Sequence, residues 1–155
     1  MTSYELELAS RQSTLAALLA DVRSGDTALR LRAVDQAALV GISAIVPLGD
    51  VYGEADSAAA KASLEALRRV ALHAGRPGAA AERRKAGGEL VKLLAPTRPR
   101  RVRAEALYLL GHVGLDAHVA PMARLLKDET LAADARMALT RMPGKAARVA
   151  LAAAG

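Results

Sequence analysis

The sequence predicts an all-helical (all-α) fold, and its composition is the first reason. Of 155 residues, 37 are Ala and 24 are Leu, two types with strong helix propensity. Two Ile and eleven Val are too few β-branched residues for a chain rich in buried strands. Hydrophobic residues make up 52% of the chain, enough for a core of its own. We therefore expect a single domain over residues 1–155.

The second reason is the spacing of residues that start and stop helices. Thr2 and Glu5 have the spacing of a capping box at the start of the first helix, whose apolar set is Leu8, Leu15, Leu18, Leu19 and Val22. Later breaks fall at 24–26, 53–57, 75–78, 96–99, 114–116, 127–130 and 143–144, which are rich in Gly, Pro, Asp and Ser. The segments between them predict helices near 4–23, 27–41, 43–53, 57–74, 79–95, 99–113, 116–127, 130–142 and 144–153.

A comparison of the chain with itself reveals a repeat. Segments 31–39, 60–68, 102–110 and 131–139 align, and each places an Ala at the same position, namely Ala33, Ala62, Ala104 and Ala133. The first and last of the three spacings are equal, and we call this common spacing, from Ala104 to Ala133, the repeat offset. The middle spacing is longer, so it contains an insertion near 75–88. This insertion either lengthens the fifth helix or forms a loop, and the register of the first copy is open by one residue. We expect the small Ala side chains to let neighbouring helices approach closely.

The repeat resembles the short HEAT-like repeat of about thirty residues. The best match is the turn at Arg98-Pro99, the Val102-Arg103 pair, the Ala-rich helix and the closing Leu110-Gly111, whereas Thr140 replaces the Gly in the last copy. The resemblance covers about residues 15–145. It implies an α-solenoid of about four helix pairs with a terminal capping helix, and it implies that 27–41, 57–74, 99–113 and 130–142 line a concave face. It also implies that Arg32 and Arg103 bridge adjacent repeats.

Motifs for catalysis, metals and cofactors are weak. Cys is absent, and no two of His73, His112 and His118 have the spacing of a metal-binding pair on one helix. Gly144-Lys145 lacks the hydroxyl residue and the upstream Gly of a phosphate-binding loop. The His-Glu dipeptides of HEAT-like hydroxylases are missing as well. We therefore expect a chain that is not an enzyme and that holds no metal and no cofactor.

Charge is distributed unevenly along the chain. Residues 1–57 have a net charge of −4 and residues 58–155 a net charge of +10, with the densest basic stretch at 83–103. This asymmetry favours an acidic partner, although solvated helix faces in a bacterial-like, Ala- and Arg-rich composition also explain it. Two oppositely charged parts allow a head-to-tail homodimer. Without a long apolar run or a basic leader, we expect a cytoplasmic protein with no membrane segment.

These observations predict a protein–protein interaction adaptor or scaffold. The presumed inner helices carry non-core candidates at Lys61, Glu65, Arg68, Arg69, Arg101, Glu105, Tyr108, His112, Arg136 and Arg141. The predicted binding residues for an acidic segment of another protein are Arg68, Arg69, Arg101, Tyr108, His112 and Arg141, because Tyr and Arg are enriched at binding hot spots. Tyr108 alternatively packs against the neighbouring repeat. A second interpretation is nucleic-acid binding by the basic residues of 58–155, but the chain lacks Trp and Phe for base stacking.

Overall fold

The chain is helical throughout its described part. The computed structural model describes residues 2–54 and 57–155, with only the backbone of residues 7–13 and 57. Within these ranges there is no β-strand, which confirms the all-helical class. The nine α-helices of the described part are α1 Ser3–Arg23, α2 Thr27–Val40, α3 Ile45–Glu54, α4 Ser57–Ala74, α5 Ala80–Lys92, α6 Arg100–Val113, α7 Val119–Arg124, α8 Ala132–Arg141 and α9 Lys145–Ala154.

The helix boundaries follow the start and stop residues of the sequence. Thr2 and Glu5 form the predicted capping box, in which Glu5 N–H donates to Thr2 Oγ1 at 3.1 Å and Thr2 N–H donates to Glu5 Oε2 at 2.6 Å. The hydrogen bonds from Thr2 also lower the pKa of the Glu5 carboxyl. Short 3-10 turns at 42–44, 116–118 and 125–127 adjoin α3 and α7. The predicted place of Leu8 in the first apolar set lies outside the described side chains.

The chain divides into two compact units, residues 1–70 and 71–155, and the division falls within α4. The predicted single domain over 1–155 stays a prediction. In the first unit α1 packs on α2, and Leu18 and Val22 lie in the core with Ala33, Val34 and Ala37. Arg32 of α2 forms an ion pair with Asp21 of α1 at 3.3 Å. Ala33 and Ala62 are both buried, as the repeat predicts for these two positions.

Helix α6 is central to the packing of the second unit. It contacts α5 and α8, while α9 contacts α7 and α8. The segment left open by the sequence, 75–88, is a turn up to Ala79 and then the first part of α5. Arg76 joins this turn to α5 because it binds both carboxylate oxygens of Glu82, at 2.8 and 2.9 Å.

Much of the burial along α6 recurs along α8 at the repeat offset. The buried pairs are Val102 and Leu131, Ala106 and Ala135, Leu109 and Ala138, Leu110 and Leu139, and Val113 and Met142. Leu107 departs from this pattern, since it is buried whereas its counterpart Arg136 is exposed. The repeat that was detected in the sequence thus has a counterpart in the packing of the second unit.

The predicted role of Ala104 and Ala133 as helix spacers is wrong. Ala104 is only half-buried and Ala133 is exposed, because the buried stripe runs through neighbouring positions. A close approach of α6 and α8 occurs instead at Gly111, where an added Cβ would lie 3.0 Å from the Cα of Ala138. Thr140, which replaces the Gly in the last repeat, is exposed and has no such constraint.

His118 is buried in the turn before α7, with 6% of its surface exposed. The backbone N–H of Leu115 donates to His118 Nδ1 at 2.9 Å, so this nitrogen is the acceptor of a neutral ring. Burial lowers the pKa of His118, and the positive charge of Arg84 acts in the same direction, whereas a backbone hydrogen bond with Arg84 opposes them. Gly87 of α5 lies against this ring, since a Cβ there would sit 2.1 Å from His118 Cε1.

Candidate functional site

Arginine side chains hold α6 in place within the second unit. Arg103 donates from Nε to the carbonyl of Leu94 at 3.0 Å and lies 3.9 Å from the Asp128 carboxylate. Asp128 Oδ1 in turn accepts hydrogen bonds from the N–H and hydroxyl of Thr130 and from the N–H of Leu131, at 2.8 to 3.1 Å. These bonds from Thr130 are the main reason that the pKa of the Asp128 carboxyl is lowered. Arg103 thus joins the end of α5 to the start of α8.

Arg100 fixes the first turn of α6 against α8. Its Nε and one Nη donate to the carbonyl of Thr130 at 3.1 and 2.9 Å, and that Nη also donates to Asp134 Oδ2 at 3.0 Å. Toward the other end of α6 and α8, the absence of a side chain at Gly111 allows α6 to contact Ala138 of α8 closely. The relative position of α6 and α8 is therefore set at both ends, which reduces the ordering cost for any ligand that binds across them.

The exposed sides of α6 and α8 carry a cluster that we call the α6–α8 face. Its exposed residues are Arg101, Tyr108, His112, Arg136, Met137 and Arg141. They stand on the solvent side because the core takes the opposite stripe of each helix. At the repeat offset, Tyr108 corresponds to Met137 and His112 to Arg141, so the two helices contribute equivalent positions to one surface.

Tyr108 lies at the centre of this face. Its ring makes an edge-to-face contact with the ring of His112, with centroids 4.8 Å apart and an angle of 65° between the planes. Arg141 of α8 places its guanidinium carbon 5.3 Å from the Tyr108 centroid, within cation–π range. Tyr108 nevertheless remains 41% exposed. The alternative, in which Tyr108 packs only against a neighbouring repeat, stays a prediction.

The electrostatics of the α6–α8 face are positive. Among the described residues, Arg136 and Arg141 have no ion-pair partner. Of the acidic side chains on these two helices, Asp134 is paired with Arg100 and Glu105 is only 8% exposed. The prediction of Glu105 as a non-core residue is wrong, because it lies on the side of α6 that packs into the unit.

The six predicted binding residues divide between the two units. Tyr108, His112 and Arg141 come together as described, and Arg101 lies two turns before Tyr108 on the exposed side of α6. Arg68 and Arg69 belong to the first unit, where Arg69 forms an ion pair with Asp35 at 3.5 Å. Lys61 and Glu65 line a groove of about 310 Å³ in that unit, together with Thr27, Arg30, Leu31, Val34, Ala58 and Ala62.

Met137 is the residue of the face that sequence reasoning missed. It is 56% exposed and lies on α8 directly after Arg136 and one helical turn before Arg141. An apolar residue inside a helical repeat is ordinarily assigned to the core. The signal that identifies it is the repeat itself, since the repeat offset aligns Met137 with Tyr108.

The described residues contain few features of other site classes. No group of three or more His, Cys, Asp and Glu in residues 2–54 and 57–155 is arranged to hold a metal ion. No helix in these ranges has the length and apolar character needed to cross a membrane. In comparisons with known proteins, no protein-family model and no curated protein matches this chain.

Proposed function

We propose that the chain is an α-solenoid of about four HEAT-like helix pairs with a terminal capping helix. The packing of α6 on α5 and α8 and the matching burial of α6 and α8 at the repeat offset support this architecture. Arg103 supports it too, because it contacts the turn between α5 and α6 and also Asp128 in the turn before α8, which is the bridging role the resemblance implies. Arg32 does not support the bridging role, because its ion pair with Asp21 joins the two helices of the first pair.

We propose that this solenoid is a non-catalytic adaptor that binds an acidic segment of another protein. The observation that carries the proposal is the α6–α8 face, where Arg141 and His112 flank a half-exposed Tyr108. Arg100 and Gly111 hold the two helices of this face against each other. Tyr and Arg are enriched at interface hot spots, and a ring held in position loses little entropy on binding. Arg136 and Arg141, which have no ion-pair partner in the described part of the chain, favour carboxylates in the partner.

The test compares capture by two charge variants of the full chain. Arg136→Glu with Arg141→Gln removes the positive charge of the face, whereas Arg124→Glu with Lys127→Gln makes the same change in charge at exposed residues elsewhere in the second unit. We expect acidic proteins enriched from the native cell by the unaltered chain to be lost with the first variant and kept with the second. Equal capture by both variants, with unchanged helical circular dichroism, would contradict the binding role proposed for this face.

Nucleic-acid binding is the alternative that the net charge suggests, as residues 71–155 carry fifteen Lys and Arg against seven acidic residues. Much of the densest basic stretch is engaged within the chain, however. Arg83 donates to the carbonyl of Val113, Arg98 to that of Lys92 and Arg100 to that of Thr130. Titration with generic duplex DNA at about 50 and 200 mM salt tests this alternative, because phosphate binding weakens steeply over this range. Binding at about 50 mM that weakens steeply at about 200 mM would favour nucleic-acid binding, and no binding at about 50 mM would exclude it.

Self-association is a separate proposal from the uneven charge. Residues 1–57 are net acidic and residues 58–155 net basic, so two copies can pair head to tail. Light scattering at about 10 and 500 mM salt tests this, since screening weakens such pairing. A dimer mass at low salt that falls to a monomer at high salt is expected, and a monomer mass at both contradicts it.

A further inference from the structure

The α6–α8 face carries exposed apolar surface as well as cations. Met137 and Tyr108 occupy equivalent positions of α8 and α6 and are 56% and 41% exposed. Met137 also lines a groove on α8, whose other lining residues are Ala133, Arg136, Thr140 and Arg141. An acidic ligand that crosses this face therefore meets an apolar surface at its centre as well as positive charge at its sides.

The two ends of the groove offer guanidinium groups to carboxylates. Arg136 and Arg141 are five positions apart on α8, with Met137 and Thr140 between them. A ligand that satisfies both arginines must carry acidic groups on either side of whatever side chain covers Met137. Charge complementarity thus specifies the flanks of the ligand, and the groove specifies its middle.

The chemistry of the groove favours an aromatic side chain in that middle position. The thioether of Met137 contacts aromatic rings favourably, and guanidinium groups stack on their faces. An aliphatic side chain makes only the apolar contact. Since Arg136 adjoins Met137 in sequence and Arg141 follows it by one helical turn, a ring over Met137 gains from both kinds of interaction.

We infer that the partner segment carries an aromatic side chain flanked by acidic residues, with the ring over Met137 beside Tyr108 and the carboxylates at Arg136 and Arg141. This inference rests on the proposed function, because it names the partner chemistry of the same face. The ligand class is an acidic peptide with an aromatic anchor.

The experiment selects binders to the full chain from a display library of random twelve-residue peptides. We expect the enriched peptides to be acidic and to contain Phe, Tyr or Trp between Asp or Glu residues. The most enriched peptide is then synthesised with its anchor kept, replaced by Leu or replaced by Ala, and titrated by fluorescence polarisation. The Leu peptide is expected to bind about five- to tenfold more weakly than the aromatic one.

Variants connect this preference to the groove. Met137→Ala should reduce the aromatic-over-Leu ratio to about twofold or less, whereas Val149→Ala, at another exposed apolar residue of the second unit, should leave the ratio unchanged. Acidic peptides that bind equally well with Phe or Leu overturn the inference and leave the proposed function standing. Selected peptides that are not acidic, or binding that survives Arg136→Glu with Arg141→Gln, overturn both.

Discussion

Arg141 of α8 lies over the ring of Tyr108 of α6, with 5.3 Å between its guanidinium carbon and the ring centroid. This contact joins the last turn of one helix to the middle of the other, and His112 completes the cluster from the next turn of α6. The contact orders both side chains before any ligand arrives. For that reason we expect changes here to weaken binding.

Tyr108→Ala should weaken binding of the selected acidic peptide by about tenfold or more, since truncation of a hot-spot Tyr removes the central contact area. The free energy of unfolding should fall by about 1–3 kcal/mol, because truncation removes the cation–π contact together with the buried part of the ring. Fluorescence polarisation and urea unfolding measure the two effects. Tyr108→Phe is the control, because it keeps the ring and should bind within about threefold of the unaltered chain.

Arg103→Ala should lower the free energy of unfolding by about 1.5–3 kcal/mol, the range for hydrogen bonds to charged groups. The side chain of Arg103 is only 13% exposed, and its loss removes its hydrogen bond to the Leu94 carbonyl and its ion pair with Asp128. Urea unfolding provides the measurement. Arg124→Ala, at an exposed site, should stay within about 0.5 kcal/mol of the unaltered chain. Equal effects of the two substitutions would show that Arg103 does not bridge these elements.

Gly87→Ala should destabilise the second unit by about 1–3 kcal/mol, the usual cost of overpacking. The added Cβ would lie 2.1 Å from His118 Cε1, and the ring cannot withdraw easily because it is buried and hydrogen-bonded. In a His118→Ala background the same change should cost at least about 1 kcal/mol less.

Gly88→Ala is the matched control for this cycle. Gly88 is the next residue of the same helix, and a Cβ there meets nothing within 4 Å. Since Ala is the better helix former, Gly88→Ala should raise the free energy of unfolding by about 0.5–1 kcal/mol. Purely additive costs at Gly87 and His118 would contradict the contact between them.

The stability of the chain should decrease as the pH falls below about 6.5, the ordinary value of a histidine. Burial lowers the pKa of His118 in the folded protein, so the unfolded chain takes up a proton at a higher pH than the folded one does. The contribution is complete above the unfolded pKa and is lost as the pH falls through it toward the folded pKa. Urea unfolding between pH 7.5 and about 5 measures this loss, and His118→Gln should flatten the curve. A variant curve parallel to that of the unaltered chain would exclude His118 as its source.

The helices were predictable because their signals are local. Thr2 caps the first helix through a side chain three residues from its partner, and Gly114 and Pro143 follow the ends of α6 and α8. The repeat that relates α6 to α8 can likewise be detected from the sequence alone. Such patterns depend on neighbouring residues and on periodicity, which one chain displays directly.

The site was predictable only in part, since its remaining features depend on tertiary contacts. Tyr108 and His112 are one turn apart on a helix, so their contact follows from sequence. The burial of Glu105 and the exposure of Met137 depend instead on which side of each helix faces its neighbours. The packing of Gly87 against His118 joins residues of separate elements, for which the sequence has no periodic signal.

Site-specific photocrosslinking in the native cell tests the central proposal most directly. A benzophenone amino acid is placed at position 137 on the α6–α8 face, and at position 124 as the control within the same unit. We predict a covalent adduct with another protein from position 137, joined to a segment rich in Asp and Glu, and its loss with Arg136→Glu and Arg141→Gln. Adducts that form equally from both positions, or none from position 137, would contradict a protein-binding role for this face.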